Sequence, residues 1–403
     1  MNFLKKIYCR LFQKTLYLAT FVLDFREPKV YSGAGTLKQV PAILKEKKID
    51  KVLIVTDPGI AKLGLMNGLL SFLAEGKVGY VIYSDTVANP TIDNIEAALL
   101  LYKEAKAQGI IAFGGGSPMD CAKGVGMRVA QPHKTISQMR GLLKVGRKLP
   151  FLVAIPTTAG TGSETTLAAV VTNALTHEKY AVNDPQLIPR VAILDPMLTM
   201  KLPPHITSTT GMDALTHAVE AYIGHSNTKK TRQMALTAVK LIHGNLLQAY
   251  NTPEDLKARE AMQIAAYDAG VAFTRAYVGY VHAVAHTLGG MYGLPHGLAN
   301  AIILPYVLEK FGKKADRRLA ELSDAIHLTE KNVSSQDKAL AFIAWIKTMN
   351  GSLGIPPKFV NVIKAKDIPL LAKRAQKEGV PLYPVPRLFS LQDFVDIYYA
   401  IQD

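Results

Sequence analysis

Between His282 and His296 the chain carries three imidazoles at spacings that suit a metal. The run Val281 His282 Ala283 Val284 Ala285 His286 has helical composition, and on a helix His282 and His286 lie four apart on one face. Gly289 and Gly290 follow, and are expected to let the chain fold back and bring His296 near the pair. Upstream, Asp213 and His217 repeat the four-residue spacing inside Gly211 to Ala218. One carboxylate with several imidazoles and no cysteine nearby is the donor mix of a borderline divalent ion such as iron(II) or zinc. A lone histidine on an alanine-rich helix is ordinarily a hydrogen-bonded core residue. Two such pairs on apolar, small-residue segments would instead each carry a desolvation cost with no common purpose. Spacing alone does not say which imidazole is spare.

These side chains need elements to hold them. From Lys29 onward, short apolar runs alternate with helical ones: Lys51 to Thr56, Val78 to Tyr83, Ile110 to Phe113 and Phe151 to Ile155 read as strands. Ile92 to Gln108 reads as an amphipathic helix between two of them. This alternation predicts a parallel sheet with helices on its faces and ligands at the carboxyl ends of its strands. Gly114 Gly115 Gly116 Ser117 follows one strand and opens a helix expected over Met119 to Val129, a place where backbone amides can approach a pyrophosphate. Pro156 to Glu164 is a second loop rich in hydroxyls and glycine, while Gly33 and Gly35 read as a turn. After Asp195 and Pro196 the strand signals stop, and from about Thr207 the composition is helical, with Ala235 to Leu247 and Ala339 to Lys347 as clear examples. The expected organisation is an extension over 1–26, an α/β domain over 27–200 and a helical domain over 201–403.

With 403 residues, 49% of them apolar and 20% charged, the chain has the make-up of a soluble globular protein with room for two domains. Its net charge of +15 favours anionic ligands, but the basic residues are scattered with no nucleic-acid signature, so no nucleic-acid partner is expected. Cys9 and Cys121 are far apart and imply neither a disulfide framework nor a thiolate site, which fits a cytoplasmic protein. Residues 1–26 carry five basic side chains against one acid, Asp24. Leu4, Ile7, Tyr8, Leu11, Leu18 and Val22 recur near helical spacing. The segment fits a basic amphipathic helix on an anionic membrane, a signal peptide with Leu16 to Leu23 as its apolar core, or a helix packed on its own domain or on a partner subunit.

Four motifs, Gly114 to Lys123, Pro156 to Glu164, Gly211 to Tyr222 and Val281 to Gly297, stand in an order and spacing that resemble the iron-containing alcohol dehydrogenases, the group that includes lactaldehyde reductases and butanol dehydrogenases. The resemblance runs from about Lys29 to the C-terminus. It implies an α/β dinucleotide-binding domain followed by an all-α metal-binding domain, the dehydroquinate synthase-like fold, and a homodimer. It also implies Asp213, His217, His282 and His296 as metal ligands, with iron(II) favoured and zinc the alternative, and His286 as the spare histidine beside the substrate. Asp57, Asn89, Gly115, Gly116, Ser117, Thr157, Thr158 and Lys179 match cofactor-contacting positions, and Phe273 a pocket-lining one. A carboxylate at Asp57 would repel a 2′-phosphate, which favours NAD over NADP. Arg190, Arg275 and Thr287 depart from the commoner pattern; Arg275, within about two helical turns of His282, suggests an anionic group on the substrate. The implied activity is reversible hydride transfer between a primary or secondary alcohol, or its aldehyde or ketone, and NAD, with His286 as proton relay. Two rivals remain: a related lyase that pairs NAD with a metal, and a non-catalytic protein that keeps the fold and works at a membrane surface through residues 1–26.

Overall fold

The structure is a computed structural model that describes residues 3–21, 25–176 and 178–403. Val22, Leu23 and Asp24, part of the readings made for the N-terminal segment, lie outside the described residues. The chain divides into two compact units, Asp24–Lys201 on the one hand and Met1–Leu23 with Leu202–Asp403 on the other. The 1–26 segment is therefore not a unit of its own, because its helix is counted with the helical unit.

The first unit contains β1 (Lys29–Ser32), β2 (Lys51–Val55), β3 (Gly79–Tyr83), β4 (Gly109–Gly114), β5 (Gly141–Leu142), β6 (Phe151–Pro156), β7 (Ala168–Asn173), β8 (Glu178–Asn183) and β9 (Val191–Leu194). Six of these form a parallel sheet in the order β1-β9-β6-β4-β2-β3. Its inner strands are apolar at all but one position, the half-buried Lys51 that opens β2, because both faces are covered. Leu53, Val55, Ile110, Ala112, Leu152 and Ala154 enter the core on one face. Their neighbours Val52, Ile54, Ile111, Phe113, Val153 and Ile155 enter the core on the other, as a two-residue side-chain period requires. Since β6, β4 and β2 are adjacent and parallel, the loops after them leave the sheet side by side.

The three-stranded sheet β5-β8-β7, with β7 and β8 antiparallel, is not anticipated by the sequence reading. Through most of their length β7 and β8 alternate buried and half-buried positions, so they lack the continuous apolar run that marks a central strand. Around the sheets lie α2 (Val40–Glu46), α3 (Pro58–Lys62), α4 (Asn67–Glu75), α5 (Ile92–Glu104) and α6 (Gly116–Ala130), after the N-terminal α1 (Phe3–Ala19) of the other unit. Helix α5 opens on a Thr91 and Asn94 capping box and stops at Glu104, four residues short of the expected Gln108. The chain turns there through Lys106, at φ 52°, to reach β4. Helix α6 starts three residues before the expected Met119, so two of the three glycines belong to its cap and first turn.

The second unit consists of α1 with α7 (Pro204–Ile223), α8 (Lys229–Asn251), α9 (Leu256–Ala276), α10 (Tyr280–Tyr292), α11 (His296–Phe311), α12 (Asp316–Ala325), α13 (Ser335–Ser352), α14 (Ile368–Gly379) and α15 (Leu391–Ile401). Gly289 and Gly290 do not fold the chain back. They lie inside α10, and the reversal comes at Gly293, whose φ of 67° ends the helix before Pro295 opens α11. Glycine is the residue that takes this conformation without a side-chain clash.

Candidate active site

In the α/β unit, the ends of three neighbouring strands carry most of the residues expected to meet a dinucleotide. Asp57 follows β2 and caps α3, its Oδ1 accepting the Ile60 N–H at 2.9 Å. Gly115 and Gly116 follow β4, with Gly115 as the N-cap of α6. Thr157 and Thr158 follow β6, and the Thr157 N–H donates to the Gly114 carbonyl at 3.1 Å, which joins the two loops. The Thr157 Oγ1 is buried and finds no hydrogen-bond partner among the described residues. A buried hydroxyl without a partner is costly unless a ligand meets it.

The remaining three expected residues form a chain of their own. Lys179, on β8, donates to Asn89 Oδ1 at 2.7 Å, and the Asn89 N–H donates to Ser117 Oγ at 3.2 Å. Asn89 sits at φ 57°, a left-handed conformation that asparagine tolerates better than most residues.

Beneath them, Lys123 is buried and its Nζ donates to the carbonyls of Ser163, Thr166 and Ala168 at 2.8, 3.1 and 2.8 Å. Asp120 accepts the Val170 N–H at 3.1 Å and the Ser163 hydroxyl at 3.2 Å. Helix α6 thereby fixes the loop that follows Thr158. Burial pushes the Lys123 ammonium down to about 8 and the Glu164 carboxyl up to about 7.

In the helical unit, Asp213 and His217 lie one turn apart on α7, His282 and His286 one turn apart on α10, and His296 opens α11. Helices α7 and α11 approach so closely at Gly297 that a Cβ there would stand 2.4 Å from the Thr209 carbonyl oxygen. Only the missing side chain lets His296 reach Asp213, with 3.6 Å from Nε2 to Oδ1. Asp213, His217, His282 and His296 each offer one donor atom, and these atoms lie within 4.8 Å of one another. His286 is not part of that set; its ring stacks on His296 at 5.3 Å. Phe273, on α9, stacks on His217 at 4.2 Å and closes one side of the cluster.

The cluster presents acceptors to one point. Asn300, one turn after His296, donates from Nδ2 to Asp213 Oδ1 at 2.6 Å and lies 3.2 and 3.1 Å from the Nε2 atoms of His282 and His296. Its two N–H groups cannot serve three acceptors, and its own Oδ1 is buried with no partner among the described residues. Lone pairs that outnumber the available protons fit a multivalent cation.

His282 is held neutral. Burial first, then the neighbouring imidazoles, lowers it well below the usual imidazole range. Its Nδ1 lies 2.6 Å from Glu220 Oε2, and the same carboxylate accepts the Gly279 and Val281 N–H groups at 2.8 Å each. Burial pushes Glu220 up to about 8 while these N–H donors pull it down. With its one proton on Nδ1, facing Glu220, His282 keeps the Nε2 lone pair for the cluster. His286 is oriented likewise, its Nδ1 at 2.6 Å from Glu378 Oε1, which also accepts the Tyr383 hydroxyl at 2.7 Å.

The family model for iron-containing alcohol dehydrogenases matches residues 27–196, and the model for the C-terminal region of the same family matches 207–402. The chain belongs to the iron-containing alcohol dehydrogenase family. As a member it is an oxidoreductase, an alcohol dehydrogenase. Alcohol dehydrogenase 4 of Saccharomyces cerevisiae is 38% identical over 358 residues, spanning 88% of this chain and 92% of the yeast protein. The NAD-dependent methanol dehydrogenase of Bacillus methanolicus is 36% identical over 374 residues, spanning 93% and 98%. The solved alcohol dehydrogenase from Oenococcus oeni superposes with a TM-score of 0.90 at 35% identity, covering 94% of this chain and all of that one.

Three residues of this alcohol dehydrogenase's site escaped the sequence reading. Glu220 lies seven residues after Asp213, and Asn300 four after His296, so both were legible as extensions of the helical stripes already noted. Glu378 lies on α14, 92 residues from His286, where no spacing could point to it. Arg275 is not within two turns of His282 on a shared helix, because α9 ends at Ala276 and Tyr277 breaks the path at φ 67°.

Proposed function

We propose that this chain reversibly oxidises a small primary or secondary alcohol with NAD, using a divalent metal held by Asp213, His217, His282 and His296. The observation that carries the reading is the buried set of one carboxylate and three imidazoles, with more acceptors than the nearby amide can serve. When bound, the metal would acidify the alcohol or polarise the aldehyde, and the nicotinamide would accept or return the hydride. Everything else falls to the chain's own residues. Glu220 fixes the tautomer of His282, and Phe273 lays an apolar wall against His217. His286, part exposed and tied by Nδ1 to Glu378, has Nε2 left to move a proton to or from the substrate oxygen. Asp57 would take the adenosine ribose hydroxyls and repel a 2′-phosphate, the first turn of α6 with Gly115, Gly116 and Ser117 suits the pyrophosphate, and Thr157 and Thr158 stand at the next strand end. Lys179 and Asn89 would order the edge of that site.

Iron(II) is the favoured metal on family membership, and zinc is the alternative, since imidazole and carboxylate suit both. The substrate class rests on the methanol-oxidising relative, and a cytoplasmic homodimer is the form in which we expect the enzyme to act. Anaerobic purification with metal analysis, then NADH oxidation against short aldehydes with and without added iron(II) or zinc, tests the reading. Metal-dependent turnover is expected. Turnover that survives complete chelation would refute the metal's role, and bound metal without turnover of any aldehyde would refute the substrate class.

A further inference from the structure

Helix α1 is docked the wrong way round for an amphipathic helix. Such helices ordinarily lay their apolar stripe on the core and turn their polar face to water. Here the side facing the protein is held by polar groups. Arg10 donates to the Val385 and Pro386 carbonyls at 2.8 and 3.1 Å, and Gln13 donates to those of Pro381 and Tyr383 at 2.9 and 2.8 Å. Cys9 and Gln13 are buried, while the apolar residues on the opposite side point to solvent. Phe3 is 74% exposed, Leu4 75% and Leu11 60%, with Ile7, Tyr8 and Leu18 on the same face and Phe21 just beyond the helix. The other exposed large apolar residues among those described are scattered over the rest of the chain, which is ordinary for a protein surface.

We propose that the outward face of α1 is a docking surface for an anionic lipid bilayer, on which the helix lies flat. Residues 3–21 contain Lys5, Lys6, Arg10 and Lys14 and no acid. With Arg10 turned inward, exposed Lys5 and Lys6 flank the apolar face and exposed Lys14 borders it, so their stems can lie along acyl chains while the ammonium groups meet anionic headgroups. The same charges disfavour a second copy as occupant, because α1 against α1 about a twofold axis would bring lysines together. No helix of the described residues is long and apolar enough to cross a membrane, and a 17-residue helix of about 25 Å lying in the interface needs no crossing. The helix is already folded and anchored before it meets lipid, so binding costs little ordering.

The test is co-sedimentation of the full chain with phosphatidylcholine vesicles and with vesicles that also carry phosphatidylglycerol, at about 50 mM and about 500 mM salt. Light scattering of the protein alone accompanies it. Binding to the anionic vesicles, weakened by salt, is expected. Leu4→Glu with Leu11→Glu should weaken it at least roughly a hundredfold, and Lys5→Gln with Lys6→Gln about thirtyfold, while melting temperature and dehydrogenase activity stay those of the parent. Failure of the folded, active parent to bind anionic vesicles at low salt overturns the proposal. So does equal binding by the double-glutamate variant, which would place the lipid contact elsewhere. Concentration-dependent association that this variant loses, without vesicle binding, would also overturn it and give the face to a second copy.

Discussion

Glu220→Gln tests whether this carboxylate sets the metal affinity of the site. Glu220 receives three buried donors: Oε2 takes the Gly279 N–H and His282 Nδ1, and Oε1 takes the Val281 N–H. A glutamine has the same shape but only one acceptor oxygen. If its NH₂ replaces Oε1, it faces the Val281 N–H and one backbone donor is lost, at about 1–3 kcal/mol. If it replaces Oε2, it faces the Gly279 N–H at similar cost, and His282 must move its proton to Nε2 to accept from the amide. That tautomer points an N–H at the cluster. In both cases one of the two oxygens that orient His282 and the backbone donors is gone, and loss of such a partner typically weakens metal binding by about 10–100-fold. The expected variant is folded, melts roughly 2–10 °C lower, and regains most activity at saturating metal. Chelator competition with zinc or cobalt(II), followed by turnover as a function of free metal, reads this out. A lowered melting temperature with unchanged metal affinity would refute the reasoning and leave Glu220 as a purely structural acceptor.

His282→Ala should lose both metal and activity, whereas His286→Ala should keep the metal and slow turnover by roughly 10²–10⁴-fold, as metal analysis and steady-state rates will show. Equal metal loss in both would undo the assignment. Asp57→Asn keeps the cap of α3, since asparagine caps as well as aspartate, but removes the charge; the preference for NAD over NADP should fall by roughly 10–100-fold, measured as the ratio of kcat/KM values. Burial raises Glu164 from 4.5 to about 7, so its neutral form is the one the fold favours. Its contribution is then fully present below about pH 4.5 and is lost as pH rises toward 7, by about 3 kcal/mol at most. Glu164→Gln should remove that loss, so the variant's melting temperature relative to the parent should climb between these pH values; a constant difference would refute it.

The parallel sheet was legible because strands covered on both faces leave unbroken apolar runs, as in Ile110 to Phe113, and the β7 and β8 hairpin was missed because half-covered strands do not. The region of the cluster was legible because helical pairs recur four apart at Asp213 and His217 and at His282 and His286, but spacing could not say that His296 joins the four donor atoms and His286 stands outside them; only the family resemblance implied that set. How the chain returns to His296 was misread. Paired glycines suggest a break, but neighbouring Leu288 and Met291 continue the helix, and the chain needs just one left-handed residue, Gly293, to reverse. Glu378 was out of reach, since only packing of α14 beside α10 brings it to His286.

The manner in which α1 is fastened decides what the N-terminal segment can be in evolution and in the laboratory. Its anchors are the carbonyls of Pro381, Tyr383, Val385 and Pro386, and the Tyr383 side chain in turn holds Glu378, the carboxylate behind His286. The family match begins at residue 27, so a truncation there looks harmless by alignment. It would remove the four hydrogen bonds that hold the 381–386 segment, whose Tyr383 hydroxyl meets the carboxylate behind His286. The helix acts on the 381–386 segment as a buttress, and a shortened enzyme would report on a loosened site as much as on a missing surface.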